Sequence, residues 1–171
     1  NKRLTEQGFE AGLRWVVLCP GTRWPSKQWP VEYFEQLIDE LAGGPVRFAV
    51  VGSEAEKVLG KRLAGRKDCV DLTGKTTLPE LTEWLRASSV VVTNDSGPMH
   101  VAAAVGTPVI ALFGPTNASK TGPYGARGTV LAADSTDCAA CARGLSYRAE
   151  GCDCMRSIAP TTVAEAVAAC E

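Results

Sequence analysis

Apolar residues in this chain fall into two spacings that take turns. Short, mainly apolar runs occur at Trp15 to Cys19, Phe48 to Val51, Val70 to Leu72, Val90 to Val92, Val109 to Phe113 and Thr129 to Ala132. Runs this short, mostly rich in Val and other apolar residues, predict strands buried on both faces. Between them the spacing turns helical. Val31, Phe34, Leu37, Ile38 and Leu41 form one apolar stripe, stopped by Gly43-Gly44-Pro45. Leu78, Leu81, Trp84 and Leu85 form another over residues 78–87. Further helices are predicted from Gly52-Ser53-Glu54 to about Ala64, from Met99 to Val105 behind Pro98, and from Thr161 to Ala169 behind Pro160. Strands alternating with helices predict an α/β fold, a Rossmann-like parallel sheet with helices on both faces. Its ligand crevice belongs at the carboxyl ends of the strands. Residues 15–171 read as that single domain, and residues 1–14, polar with scattered Gly, as a linker or tail.

Composition narrows the class. The 171 residues are 45% hydrophobic and 22% charged, as in a soluble globular protein, and suffice for one full core. A net charge of −1 gives no electrostatic reason to expect nucleic acid or an anionic membrane as partner. No apolar run approaches the roughly 18 residues of a membrane span. The opening Asn1-Lys2-Arg3-Leu4-Thr5-Glu6 has neither a signal-peptide pattern nor a Met, so a piece of a longer protein is expected. Seven cysteines, an odd number without a signal, argue against a secreted disulfide scaffold.

The chemistry concentrates in Val90 to Thr116. A strand stops at Asn94-Asp95-Ser96-Gly97, Pro98 begins a helix, and Gly106 and Pro108 end it before the next strand. This βαβ unit presents free N–H groups and the positive end of a helix dipole at the first strand's carboxyl end. Gly97 admits a ligand closely, and Ser96 adds a hydroxyl, so a phosphate is favoured there. Asp95 would repel a phosphate. It reads either as a helix cap or as an acceptor for sugar hydroxyls. Gly21 and Thr22, after the first strand, face the same crevice. Lys27 is either a point charge for a diphosphate or a solvated loop cation. Glu54, beyond the second strand, reads as a ribose acceptor, a helix N-terminal acid, or both. His100, the single histidine, is structural or catalytic. Gly74-Lys75-Thr76 and Leu78 are placed beside the nucleotide base.

Two phosphate motifs are excluded. No G-x-G-x-x-G follows a strand, and in Gly114 to Thr121 a Ser119 stands where a P-loop needs its second glycine. Cys138-x-x-Cys141 and Cys152-x-Cys154 leave three readings open: a structural zinc, free or redox-active thiols, or a disulfide.

The run Asp95-Ser96-Gly97-Pro98-Met99-His100, then Ala102-Ala103, Gly106-Thr107-Pro108 and Phe113-Gly114-Pro115-Thr116, resembles the donor-binding signature of the lipopolysaccharide heptosyltransferases. These are glycosyltransferase family nine, with the two-domain GT-B fold. Pro20-Gly21-Thr22, Lys27 and Trp29-Pro30 resemble its second signature. The resemblance implies one half of a GT-B glycosyltransferase, the carboxyl-terminal donor-binding domain. The implied reaction is inverting transfer of heptose, or a related sugar, from an ADP-sugar to a lipid-linked lipopolysaccharide core acceptor at the cytoplasmic face of the inner membrane. Donor-binding residues would be Gly21, Thr22, Lys27, Glu54, Asp95, Ser96, Gly97, Met99 and His100, with His100 beside the leaving diphosphate. No cofactor is required for catalysis, and the general base is expected in an amino-terminal domain outside these residues. Without that domain the chain is expected to bind donor and transfer little or nothing. A Cys-Met-Arg ending such as Cys154-Met155-Arg156 also occurs in the family's cysteine-bearing loop, although Cys152 sits unusually near and no His accompanies it. Alternatives are a non-catalytic nucleotide-binding module and half of a UDP-sugar enzyme such as an epimerase.

Overall fold

In a computed structural model the described residues are 2–125, 127–133 and 153–170. Among them, six strands form one parallel sheet: β1 (Arg14–Cys19), β2 (Val46–Val50), β3 (Cys69–Asp71), β4 (Val90–Asn94), β5 (Val109–Phe113) and β6 (Gly128–Ala132). Their order is β3-β2-β1-β4-β5-β6, that of a doubly wound Rossmann-like sheet. Every neighbouring pair is parallel. Each of the six apolar runs is a strand, to within two residues at either end.

The runs lack polar alternation because helices cover both faces. Val16 and Leu18 of β1 join Val90, Val92, Ile110 and Leu112 on one face. They pack against Phe34, Leu37 and Ile38 of α2 (Val31–Leu41) and Val163 and Val167 of α7 (Pro160–Ala168). Trp15, Val17, Val91, Ala111 and Phe113 face the other way, against α4 (Leu78–Ala87) and α5 (Gly97–Ala104). Each fully buried Leu, Ile or Phe contributes about 1.5–3 kcal/mol. The helix expected from residue 52 divides into a single 3₁₀ turn, Glu54–Glu56, and α3 (Lys57–Leu63). A short α6 (Ala118–Thr121) was not foreseen in the pattern. Among the described residues, no helix is long and apolar enough to cross a membrane.

Residues 2–13 depart from the linker expected of them. They begin with α1 (Lys2–Glu6), whose Leu4 is buried in the core. Phe9 stacks on Trp15, ring centroids 5.5 Å apart, and meets the edge of Trp84 at 5.4 Å. The reason is the two buried indoles. Each needs an acceptor for its N–H, and this segment supplies both: the Glu10 carbonyl for Trp15 at 3.0 Å and Gln7 Oε1 for Trp84 at 2.8 Å.

Candidate functional site

The strand order reverses between β1 and β4, so the connections from their carboxyl ends diverge and leave a crevice. A depression of about 400 Å³ lies there, lined by Gly21, Thr22 and Arg23 after β1 and Gly52, Ser53 and Glu56 after β2. Ser96, Gly97 and Pro98 at the start of α5 complete its floor, with Thr76, Thr77, Leu78 and Leu81 along one side. Cys19 lies at the bottom, its thiol pushed up to about 12 by burial, so it stays protonated and apolar.

Asn94 ties the crevice loops together. It is fully buried at the end of β4. Its side-chain carbonyl accepts from the Trp29 backbone N–H at 3.1 Å, and its amide donates to the Pro20 carbonyl at 2.8 Å. Trp29 is anchored in turn by its indole N–H, which donates to the Ile158 carbonyl at 2.9 Å. A buried amide has to satisfy both ends, and doing so fixes the β1, Trp29 and β4 segments in one arrangement.

Ser96 is the N-cap of α5 without a side-chain capping bond. Its hydroxyl lies 3.3 Å from that of Thr93. The amino end of α5, with Gly97 exposed and unobstructed, therefore opens into the crevice as an anion-favouring surface. Asp95 does not cap the helix. Its Oδ2 accepts from Lys27 Nζ at 2.7 Å and from the Thr116 hydroxyl at 2.7 Å. The side chains of Lys27 and Asp95 are only 16% and 7% exposed, so this is an ion pair largely withdrawn from water. Desolvation offsets much of the attraction in such pairs, and the pair's main effect is positional. It holds a cation beside the crevice and cancels the carboxylate's charge.

The sequence-predicted residues separate into three groups. Gly21, Thr22, Ser96 and Gly97 line the depression, and Lys27 and Asp95 are joined beside it. Glu54 is not on its lining. Its side chain is 73% exposed and pairs with Lys57. The acid at the crevice is Glu56, two residues on, whose carboxylate accepts from the Ser53 N–H and lies over Gly21 and Gly52. Met99 points into the core and is fully buried, and His100 is exposed on the first turn of α5. Of the residues expected beside the base, Thr76 and Leu78 line the depression whereas Gly74 and Lys75 do not.

Cys138, Cys141 and Cys152 lie outside the described residues. Cys154 is half-buried close to Gly114. Sequence reasoning missed Asn94, Glu56 and Thr116. A usable signal existed for Asn94, since a polar residue closing an otherwise buried strand must find partners.

These features define a Rossmann-like α/β domain with its ligand crevice at the switch point of the sheet. The profile of glycosyltransferase family 9 (heptosyltransferase) matches residues 1–148, and the chain belongs to that family. It is 36% identical over 138 residues to lipooligosaccharide heptosyltransferase 2 of Haemophilus influenzae, covering 76% of this chain and 40% of the relative. It is 34% identical over 134 residues to lipopolysaccharide heptosyltransferase 1 of Pseudomonas aeruginosa, covering 77% and 37%. The solved structure of E. coli ADP-heptose lipopolysaccharide heptosyltransferase II superposes with a TM-score of 0.80 at 26% identity, covering 98% of this chain and 49% of that one. The chain thus spans about half or less of the length of these relatives.

Proposed function

We propose that this chain is the donor-binding half of an inverting glycosyltransferase that moves heptose from ADP-heptose to a lipopolysaccharide core acceptor. The observation that carries the reading is the convergence of three strand-end loops on one crevice: Gly21-Thr22, Ser53-Glu56 and Ser96-Gly97. Backbone N–H groups of the first and third, with the Thr22 and Ser96 hydroxyls, suit a diphosphate. Lys27 adds a positive charge that Asp95 holds in place, and His100 flanks the outer side of the diphosphate. Glu56, in place of Glu54, takes the ribose hydroxyls, and Thr76, Leu78 and Pro98 take the adenine. Asp95 receives the sugar. Met99 contributes by packing under α5.

The relatives, heptosyltransferases from three bacteria, support the donor and the transfer. The lipid-linked acceptor, the general base and the cytoplasmic face of the inner membrane belong to this reading through the other half of such a protein. No metal is assigned to the transfer step. Cys138, Cys141, Cys152 and Cys154 enter as a candidate structural zinc cluster only.

Titration calorimetry with ADP, UDP and GDP tests the reading. ADP should bind and the other two markedly less. Equal or absent binding of all three refutes an adenine-nucleotide donor. Tight ADP binding with no gain from an attached sugar would favour a nucleotide-binding module instead.

A further inference from the structure

Thr116 belongs to a sequence signature and lies outside the lining of the depression. It follows Gly114-Pro115 at the carboxyl end of β5, on the far side of β4 from the Gly21 loop. From there its hydroxyl donates to Asp95 Oδ2 at 2.7 Å, the same oxygen that accepts from Lys27 Nζ. A carboxylate whose one oxygen receives two donors from different directions cannot turn freely about its Cβ–Cγ bond. No hydrogen bond among the described residues involves Asp95 Oδ1, and the residue retains 8% exposure. One oxygen is thus committed to the protein and the other left for a ligand hydroxyl.

We infer that Thr116 is a positioning residue for sugar recognition, fixing the Asp95 carboxylate so that Oδ1 faces the donor's sugar. This rests on the donor-binding reading proposed above and extends it to a residue which that reading leaves without a role. Charge sharpens the expectation. Removing the Thr116 hydroxyl leaves the Lys27–Asp95 pair intact, so the field at the diphosphate is unchanged. Only the direction of the free carboxylate oxygen is lost. A residue acting on general stability would weaken every ligand alike. One acting through Asp95 weakens the sugar nucleotide and spares the nucleotide.

The test compares ADP and ADP-heptose by calorimetry on the wild-type chain, Thr116→Val and Thr116→Ser, with thermal melting of each. Thr116→Val should lose about tenfold in ADP-heptose affinity, the scale of one hydrogen bond to a charged group. Its ADP affinity should stay within about twofold, and Thr116→Ser should restore the wild-type pattern. In an Asp95→Asn background the Thr116→Val effect should shrink, because the two act as a unit. Equal weakening of both ligands, or a Thr116→Val effect that persists in full with Asp95→Asn, overturns the positioning role. If the wild type binds ADP but gains nothing from the sugar, the inference fails while a nucleotide site survives. If it binds neither ligand, the donor reading itself has failed.

Discussion

Gly21 and Glu56 share one space: the Glu56 carboxylate fills the volume that a Cβ at Gly21 would need. The contact spans the gap between the ends of β1 and β2. It explains why glycine stands at the first residue that the crevice presents after Pro20. Gly21→Ala should push the Glu56 carboxylate aside. Because that carboxylate is the far end of a flexible side chain, the fold should survive. The expected outcome is a small change in melting temperature with a clear loss of ADP affinity, read by melting and calorimetry on the same sample.

The two neighbouring acids should behave differently. Glu56→Gln should weaken ADP by about 1.5–3 kcal/mol, the scale of a charged hydrogen bond to a hydroxyl. Glu54→Gln, on a side chain that is largely exposed and paired with Lys57, should change affinity by less than about 0.5 kcal/mol. Comparable losses in both variants would show that the crevice does not distinguish them.

Lys27→Ala should act twice. It removes the proposed diphosphate contact, and among the described residues it leaves the Asp95 carboxylate, 7% exposed, with the Thr116 hydroxyl. Stability should fall by about 1–3 kcal/mol, less than for a wholly buried pair because water still reaches the lysine. Adding Asp95→Asn should recover much of that stability without recovering ADP affinity. Urea unfolding and nucleotide titration of the single and double variants separate the two effects.

On one side of the crevice, α4 begins with a reciprocal cap. Glu80 Oε2 accepts from the Thr77 N–H at 2.7 Å, and the Thr77 hydroxyl accepts from the Glu80 N–H at 3.4 Å. The Thr77 N–H, followed by Arg3 and the Thr77 hydroxyl, holds the Glu80 carboxyl at about 2. A free Glu titrates at about 4.3, so the folded value is depressed. The contribution to stability is therefore present in full above the free value and disappears as pH falls toward about 2. Unfolding midpoints between pH 6 and pH 2.5 should decline, and Glu80→Gln should flatten part of that decline. Thr77→Ala should cost about 1 kcal/mol at neutral pH.

Elements buried on both sides were the most legible parts of the chain. Val90 to Val92 and Val109 to Phe113 can satisfy their pattern only inside a covered sheet, and both are wholly buried strands. The strand-end position of Gly21, Ser96 and Gly97 followed from the same pattern. What escaped was decided by direction or by distance along the chain. A shift of two residues around a 3₁₀ turn sends Glu54 outward and Glu56 into the crevice. Lys27 and Asp95, and Asp95 and Thr116, are separated by 68 and 21 residues, and no local spacing announces such pairs. Residues 2–13 looked like a tail because Leu4, Phe9 and Leu13 follow no helical or strand period. Their reason for order is the pair of indoles elsewhere in the chain.

The Trp29 indole finds its acceptor on Ile158, 129 residues later, and the Arg14 guanidinium at the start of β1 reaches the Val167 and Cys170 carbonyls at the end of α7. During synthesis, a chain growing from its amino end can assemble β1 to β5 while the Trp29 loop still lacks this support. The loop that carries Lys27 is then among the last parts to settle. Ligand capture by a nascent chain should lag behind the appearance of β1 to β5, waiting on α7 to leave the ribosome.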